Sequence, residues 1–373
     1  MKNNTRAARL GFLCMLWIAG AVTARAVTID PQRGTADPDG KTVWYDGKLL
    51  ALSGKGWEAT ESFFDRLPAK AKDVVPKDVW GLSHDSSGLS LRFSTDASAI
   101  HVRWVLVKND LGFPHMPSTG VSGLDLYEKD KAGKWLFKEN GRPRTVTKNK
   151  VPFTVTPGAE EILYLPLFNG VKSLELGIPS TNRLSTPSAA ETAGRKPIVF
   201  YGTSITQGGC ASRPGMAASS ILGRALNMPV INLGFSASGR MEPEMANLLA
   251  ELDPSVYVLD CLGNMEPRMV RERVEPFVRT LRKAHPSTPI LLVEDASVHN
   301  VNPTEKGIIL RGLHEKLTKE GIPNLHFLSS LGMLGSDSEG TVDGLHPTDL
   351  GIMRHVAVFL PALTALVDSP PSP

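Results

Sequence analysis

The chain has 373 residues, a hydrophobic fraction of 41%, and 41 Lys and Arg against 38 Asp and Glu, which gives a formal net charge of +3. This length exceeds what one hydrophobic core usually occupies, so we expect two domains. Four basic residues and no acid lie in residues 1–26, so without this segment the net charge falls from +3 to −1. The charge balance offers no electrostatic basis for nucleic-acid binding.

Residues 1–26 have the pattern of a signal peptide. Three basic residues precede the uncharged run Leu10–Val22, and Ala24-Arg25-Ala26 provides a small-x-small cleavage site. We expect cleavage after Ala26 and a secreted or periplasmic protein; an uncleaved anchor is the alternative. No other run is long and apolar enough to predict a membrane span, so we expect no stable membrane insertion after processing.

Residues 27–182 predict an antiparallel β-sandwich of jelly-roll type. Short alternating runs are separated by turn-rich breaks, and helical patterns are few, although 57–71 is expected to hold a helical turn or two. The expected strands are 88–94, 100–107, 124–128, 134–138, 162–167 and 171–176.

Residues 197–368 predict an α/β domain, because five apolar runs alternate with helical patterns and imply a three-layer fold with a parallel five-stranded sheet. The preceding segment 183–196 is rich in Ser, Thr, Pro and Ala and is expected to be a linker. Residues 369–373 form a tail. The expected strands are 198–201, 230–233, 256–259, 290–293 and 325–328.

Polar residues follow these strands at the edge where sites of parallel sheets form. Ser204 follows the first strand within Gly202-Thr203-Ser204, where a turn would lift its hydroxyl out of the sheet as a nucleophile. Asp343 and His346 follow the fifth strand and supply the orienting acid and the base that a serine nucleophile needs. The turns 232–239 and 260–264 belong to the same edge.

Taken in order, these turns resemble the blocks of the SGNH (GDSL-type) hydrolases, which carry a serine, a glycine, an asparagine and a histidine. The segment Gly123-Leu124-Asp125-Leu126-Tyr127 resembles the Gly-x-Asp-Leu-Tyr signature of the amino-terminal sandwich in a two-domain branch of that family. The resemblance covers about 196–367 and most of 28–180. It implies a flavodoxin-like sheet and hydrolysis of esters or related acyl compounds.

The resemblance also implies an oxyanion hole made by the Ser204 amide, a backbone amide in the second turn and the Asn264 side chain. The glycine that supplies the second donor in the family falls at Ala237, which can still donate if its φ stays negative. Gly234 and Gly239 are then interpreted as conformational supports. Thr203 stands where many relatives carry an aspartate that takes no part in the reaction.

Several other residues are open to two interpretations. Arg213 could clamp an anionic substrate group or pair within its loop, and Glu294 could border the pocket or serve as a structural carboxylate. His115 could reach the pocket from a sandwich loop or remain a solvated loop histidine. Cys210 and Cys261 could form a disulfide or stay as two buried thiols.

We therefore expect an exported serine esterase that removes short acyl groups, acetyl above all, from a carbohydrate or small-molecule ester. No His, Asp or Glu cluster has metal-ligand spacing, so a mechanism without metal or cofactor is predicted. A lipid esterase or lysophospholipase is the alternative within the hydrolases, and a non-catalytic glycan-binding surface protein is the alternative outside them. The oligomeric state stays open.

Overall fold

The computed structural model describes residues 26–187, 195–298 and 303–367 of the chain. The predicted signal peptide and the tail therefore lie outside the described residues, apart from Ala26. The amino-terminal part contains these strands and helices: β1 (Val27–Thr28), β2 (Thr35–Ala36), β3 (Thr42–Asp46), β4 (Ala51–Ser53), β5 (Ser90–Thr95), β6 (Ala99–Leu106), β7 (Leu124–Lys129), β8 (Trp135–Gly141), β9 (Asn149–Thr154), β10 (Glu160–Tyr164), β11 (Val171–Pro179), β12 (Leu184–Thr186), α1 (Lys77–Ser83) and α2 (Ser118–Val121).

Two antiparallel sheets form the sandwich. One has the order β1-β12-β5-β10-β7-β8 with β4 also paired to β5, and the other has the order β2-β3-β11-β6-β9. The strand β6 alternates between buried and partly exposed positions, as expected of a strand with one face in a core. The predicted antiparallel sandwich is confirmed.

The predicted linker 183–196 overlaps the sandwich, because Leu184–Thr186 forms β12 and pairs with β1 and β5. Leu184 is fully buried in the sandwich core. This strand could not be predicted from the sequence, because its three residues are too few to show an alternating pattern and the residues around Leu184 are polar.

The carboxyl-terminal part has strands and helices in alternation: β13 (Ile198–Gly202), α3 (Ser204–Gln207), α4 (Ala218–Leu226), β14 (Val230–Gly234), α5 (Pro243–Leu249), β15 (Val256–Asp260), α6 (Pro267–Ala284), β16 (Ile290–Val293), α7 (Glu305–Lys319), β17 (Leu325–Leu328) and α8 (Asp349–Val367). The five strands are parallel, in the order β14-β13-β15-β16-β17. This 2-1-3-4-5 order is flavodoxin-like, and the predicted α/β fold is confirmed.

Alternate residues of β13 face two separate cores. Val199 and Tyr201 pack with α5, α6 and α7 on one face of the sheet, and Ile198 and Phe200 pack with α4 and α8 on the other. A strand that is buried on both sides has no polar face, which is why β13 reads as a continuous apolar run.

Part of the amino-terminal region belongs to the core of the α/β part. Leu67, Ala71, Val75 and Val79 are each at most 5% exposed and pack with residues of the parallel sheet. This segment holds a 3-10 turn at Ala69–Ala71 and α1, close to the expected helical turns in 57–71. The two parts of the chain therefore share a core that the predicted boundary at residue 182 separates.

The helix α8 is long and apolar enough to cross a membrane by length and composition, contrary to the expectation that no such run follows residue 26. His355, Val356, Phe359 and Leu363 of this helix are nevertheless buried, and its apolar residues pack on the sheet. A core helix of a globular domain passes the same test of length and composition.

Candidate active site

Ser204 is the first residue of α3, directly after the buried strand β13. Thr203 is the N-cap of this short helix, and its Oγ1 accepts a hydrogen bond from the Ile205 amide at 3.3 Å. Threonine thus provides a capping oxygen of the kind that an aspartate would provide. Ser204 is only 7% exposed.

His346 and Asp343 lie on one compact turn after β17. Asp343 Oδ1 accepts from the backbone amides of Leu345 and His346, at 3.0 and 2.8 Å, and Asp343 Oδ2 lies 2.7 Å from His346 Nδ1. Gly344 between them has a φ of 89°, a conformation that favours glycine. The turn presents the acid and the base as one unit.

These contacts determine the protonation of Asp343. Burial alone raises the pKa of Asp343, but the hydrogen bonds from the His346 ring and from the backbone amides of His346 and Leu345 outweigh it and lower the pKa to about 2. Asp343 is therefore an anion at neutral pH and accepts from His346 Nδ1–H. The other ring nitrogen, Nε2, lies 2.8 Å from Ser204 Oγ and can accept the serine proton.

The second turn carries Ala237, whose φ is 52°. From the sequence we expected Ala237 to donate its amide only if its φ stays negative. That condition is not met, because Ala237 adopts the left-handed conformation in which a glycine is common. For a residue with a side chain this costs roughly 1–2 kcal/mol. Gly234 and Gly239 act as steric supports, since a Cβ on Gly234 would lie 2.1 Å from the Gln207 nitrogen and one on Gly239 would lie 1.9 Å from the Gly202 oxygen.

The third turn carries Asn264 in the 3-10 turn Leu262–Asn264. Its Nδ2 donates to the Ser238 carbonyl at 2.7 Å, which links the second and third turns. Lys306 on α7 donates to the carbonyls of Leu262 and Gly263 at 2.8 and 3.3 Å and lies 3.2 Å from the buried Asp295. The loop that carries Asn264 is therefore held from both sides.

A sandwich loop reaches this edge of the sheet. The ring centroid of His115 lies 6.2 Å from that of His346, and His115 stacks on Phe113 with centroids 5.9 Å apart and an interplanar angle of 18°. His115 is exposed. His115 therefore lies next to His346, which agrees with the interpretation that it reaches the pocket from a sandwich loop.

Arg213 and Glu294 are engaged inside the protein, so the structure favours the structural interpretation of both. Arg213 lies 2.9 Å from Asp125 and donates to the Tyr127 hydroxyl at 2.7 Å. It thus joins the hydrolase part to the Gly-x-Asp-Leu-Tyr segment. Glu294 is 3% exposed and accepts from the Ser329 hydroxyl and the Ser330 amide, both at 3.0 Å.

Cys210 and Cys261 are buried free thiols, and the disulfide is not formed. The Cys261 thiol donates to the Tyr201 carbonyl at 3.5 Å. Burial and the Asp343 charge raise the pKa of Cys210 to about 11. Both thiols therefore stay protonated and contribute to packing.

Three residues that support the site carry no recognisable signal in the sequence. The side chain of Gln207 donates to Asp85 Oδ2 and to the Leu167 carbonyl and accepts from the Ser236 amide in the second turn. Buried Arg66 donates to the Gly234 carbonyl at 2.7 Å from the amino-terminal region. Like Lys306, these side chains connect elements that are far apart in the chain, so no local sequence pattern predicts their roles.

The comparisons place the chain in a class of hydrolases. Residues 195–364 match the model of the GDSL-like lipase/acylhydrolase family, and residues 42–184 match the GxDLY model, which describes the N-terminus of esterases of the SGNH-hydrolase type. The structure is similar to that of a protein from Bacteroides ovatus ATCC 8483 described as a GDSL-like lipase, with 33% identity, a TM-score of 0.81, and coverage of 89% of this chain and 100% of that one. The chain belongs to the GDSL-like (SGNH) hydrolase family, in its two-domain form, as the sequence resemblance predicted.

More distant structures share the fold alone. The salicylyl-acyltransferase SsfX3 from a tetracycline biosynthetic pathway has 20% identity and a TM-score of 0.70 over 91% of this chain and 99% of its own. A family two carbohydrate esterase from Cellvibrio japonicus has 15% identity and a TM-score of 0.54 over 92% of this chain and 98% of its own. No match was found among curated proteins.

Proposed function

We propose that this protein is an exported serine esterase that removes short acyl groups, acetyl above all, from carbohydrate esters. The observation that carries the proposal is the chain of contacts from Ser204 Oγ to His346 Nε2 at 2.8 Å and from His346 Nδ1 to Asp343 Oδ2 at 2.7 Å. This order of nucleophile, base and orienting acid is what acyl transfer through a covalent intermediate requires.

Ser204 Oγ attacks the acyl carbon while His346 Nε2 takes the hydroxyl proton, and the anionic Asp343 stabilises the imidazolium that results. His346 returns this proton to the oxygen of the leaving alcohol as the C–O bond breaks. A water molecule then attacks the acyl-enzyme with His346 again as base, which releases the acid and restores Ser204. Negative charge on the carbonyl oxygen is stabilised by the Ser204 amide and by Asn264 Nδ2. The Ala237 amide is a third candidate donor in spite of its positive φ, because the left-handed backbone that a glycine commonly adopts still carries an N–H group.

The carbohydrate part of the proposal is supported by the fold neighbours that are family two carbohydrate esterases. One of them, from Clostridium thermocellum, was solved in complex with cellohexaose. The stacked pair of Phe113 and His115 beside His346 offers an aromatic wall on the alcohol side of the site. Such a wall suits the apolar face of a sugar ring.

Substitution of the nucleophile tests the proposal. Ser204→Ala should lower kcat for p-nitrophenyl acetate on the order of 10⁶-fold, since loss of a triad nucleophile leaves only binding and oxyanion stabilisation. Ser255→Ala, at the opposite end of the same sheet, is the matched control and should keep full activity. A Ser204→Ala variant that retains activity would exclude the mechanism.

Acyl specificity separates the proposal from its alternatives. Purified protein should hydrolyse p-nitrophenyl acetate and acetylated xylan faster than the octanoate ester, as an esterase for short acyl groups does. Faster cleavage of long-chain esters would favour the lipid esterase. Glycan binding without hydrolysis of any acyl ester would favour the non-catalytic binding protein.

Export is proposed from the pattern of residues 1–26, nearly all of which lie outside the described residues. Expression of the full chain should yield a secreted or periplasmic protein whose first residue is Val27. Amino-terminal sequencing measures this directly, and a protein that keeps residues 1–26 in the membrane would support the uncleaved anchor.

A further inference from the structure

A cavity lies between the sandwich and the α/β part. It has a volume of about 370 Å³, and its walls come from β10, the ends of β7 and β8, and the helix α4. None of its lining residues lies on the turns that carry Ser204, Asn264 or His346. Its volume lies within the range of roughly 300–1,000 Å³ that is usual for small-ligand sites.

Aromatic rings line this cavity. Trp135 is partly exposed, and Tyr164 is 7% exposed and packs edge-on against Tyr127 with centroids 5.6 Å apart. Lys129 Nζ lies 5.2 Å from the centroid of the Trp135 ring. The cavity thus offers flat apolar surface next to a cation.

The lining is also rich in positive charge. Four basic residues line the cavity, with Glu160 as the one acid: Arg92, Lys129, Arg195 and Arg224. Glu160 forms ion pairs with Arg92 and Lys129, so its charge is already balanced. Within the described residues, Arg195 and Arg224 form no ion pair. Arg195 donates to the carbonyls of Leu226 and Asn227, and Arg224 donates to the Gly215 carbonyl and the Tyr127 hydroxyl. The cavity therefore carries a surplus of positive charge.

Small polar side chains complete the wall. Ser90, Ser219, Ser220 and Asn227 line the cavity and can each donate and accept hydrogen bonds. A ligand with several hydroxyl groups needs both kinds of partner, whereas a phosphate ester needs donors only. The aromatic rings, the hydroxyl and amide side chains and the surplus of basic residues in this cavity are together suited to bind a sugar that carries a carboxylate.

We propose that this cavity is a second, non-catalytic binding site for an anionic saccharide with uronate carboxylates. The apolar face of a sugar ring stacks on Trp135, and a carboxylate is held by Arg195 and Arg224. The site rests on the proposed function only in that the same glycan would bring its ester to Ser204. Binding can be measured without turnover, so failure of the esterase assay and failure of this proposal are distinguishable.

The test is calorimetric titration of the full mature chain carrying Ser204→Ala with tetragalacturonate. Binding is expected to weaken about tenfold with Arg195→Glu, since reversing a charge at a partly solvated contact changes the free energy by about 1.4 kcal/mol. Lys196→Glu is the matched control, because Lys196 is the exposed neighbour that pairs with Asp253 outside the cavity. This control should leave Kd unchanged.

A second pair of variants tests the aromatic surface independently. Trp135→Ala should also weaken binding about tenfold, because it removes the aromatic surface on which the ring stacks. Leu136→Ala, at the next and 43% exposed position, should not. The proposal is overturned by absence of tetragalacturonate binding at millimolar concentration, by equal binding of neutral cellotetraose, by binding of adenosine monophosphate in its place, or by unchanged Kd in Arg195→Glu.

Discussion

Ala237 and Thr203 are the two residues at which the site departs from the usual family pattern, and each is accommodated differently. Thr203 keeps a capping oxygen at the start of α3. Ala237 keeps a glycine-type conformation with a φ of 52° although it has a side chain. The first change exchanges one hydrogen-bond acceptor for another, whereas the second stores conformational strain beside the candidate oxyanion hole.

Relief of that strain is a testable consequence. Ala237→Gly should raise the free energy of unfolding by about 0.5–1 kcal/mol. The change removes roughly 1–2 kcal/mol of left-handed strain, and the greater flexibility of glycine in the unfolded chain takes back about 0.4–1 kcal/mol. Activity should be retained, since the backbone amide stays. Thermal unfolding measures the change. Ala250→Gly, at a φ of −63°, is the control and should destabilise the protein.

Asp260 provides a prediction about pH. Burial and the charge of Asp295 raise its pKa to about 7, while the hydrogen bond from Thr206 Oγ1 opposes the shift. Because the pKa is higher in the folded than in the unfolded chain, this carboxyl stabilises the fold most below about pH 4, and the contribution is lost as pH rises through about 7.

Asp260→Asn keeps a neutral side chain at every pH. The Tm of this variant minus that of the wild type should therefore increase from pH 4 to pH 7 and then level off. Melting curves at several pH values measure the difference, with Asp253→Asn at an exposed site as the control for loss of a carboxylate. A difference that is constant with pH would show that folding does not shift the pKa of Asp260.

At the level of secondary structure, the turns after the parallel strands are braced by side chains from other elements. The loop that carries Asn264 is tied to the second turn through Ser238 and to α7 through Lys306. Lys306 is itself held by Asp295 after β16. The position of the Asn264 amide thus depends on three elements, which makes Lys306 a positioning residue.

Lys306→Met should lower kcat for p-nitrophenyl acetate roughly tenfold with little change in KM. Asn264 is the proposed oxyanion donor, such a donor acts mainly in the transition state, and loss of one donor outright costs about 10²–10³. Lys316→Met, at a surface ion pair of the same helix, is the matched control. Steady-state kinetics measure both. A rise in KM with unchanged kcat in Lys306→Met would instead assign this residue to substrate binding.

At the scale of the whole molecule, the sandwich is more than an attached module. Residues 67–79 complete one face of the parallel sheet, Arg66 and Gln207 link the two parts beneath the second turn, and Asp125 holds Arg213. Asp125 and Tyr127 belong to the Gly-x-Asp-Leu-Tyr segment, so the role of this signature in the structure is to join the two parts of the chain.

Deletion of residues 27–182 should therefore unfold the hydrolase part rather than only redirect its substrate choice. It removes Leu67, Val75 and Val79 from the core of the sheet, and burial of each such side chain contributes about 1.5–3 kcal/mol. Circular dichroism and thermal melting of the truncated protein measure the effect. A truncated protein with a cooperative transition and full activity on p-nitrophenyl acetate would contradict the shared core.

Leu67→Ala in the full chain is the corresponding point variant. It should cost about 2–5 kcal/mol, as other core truncations of leucine do. Because Leu67 packs against the parallel sheet, esterase activity should be lost in the same thermal transition as the folded structure. Glu58→Ala, an exposed position in the same segment, should leave the transition in place.

The sequence alone determined the order of the five parallel strands along the chain, the sandwich ahead of them, and the turns that carry Ser204, Asn264, Asp343 and His346. These features are local, since each depends on an apolar run and the residues directly after it. The family resemblance added the role of Asn264 and the place of Ala237 in the second turn.

Only the tertiary structure decided the conformation of Ala237, the free thiols of Cys210 and Cys261, and the inward contacts of Arg213 and Glu294. It also assigned residues 67–79 to the core of the hydrolase part and placed His115 beside His346. Each of these depends on which distant segments meet in space. That is set by packing across the two parts of the chain, and no spacing within the sequence encodes it.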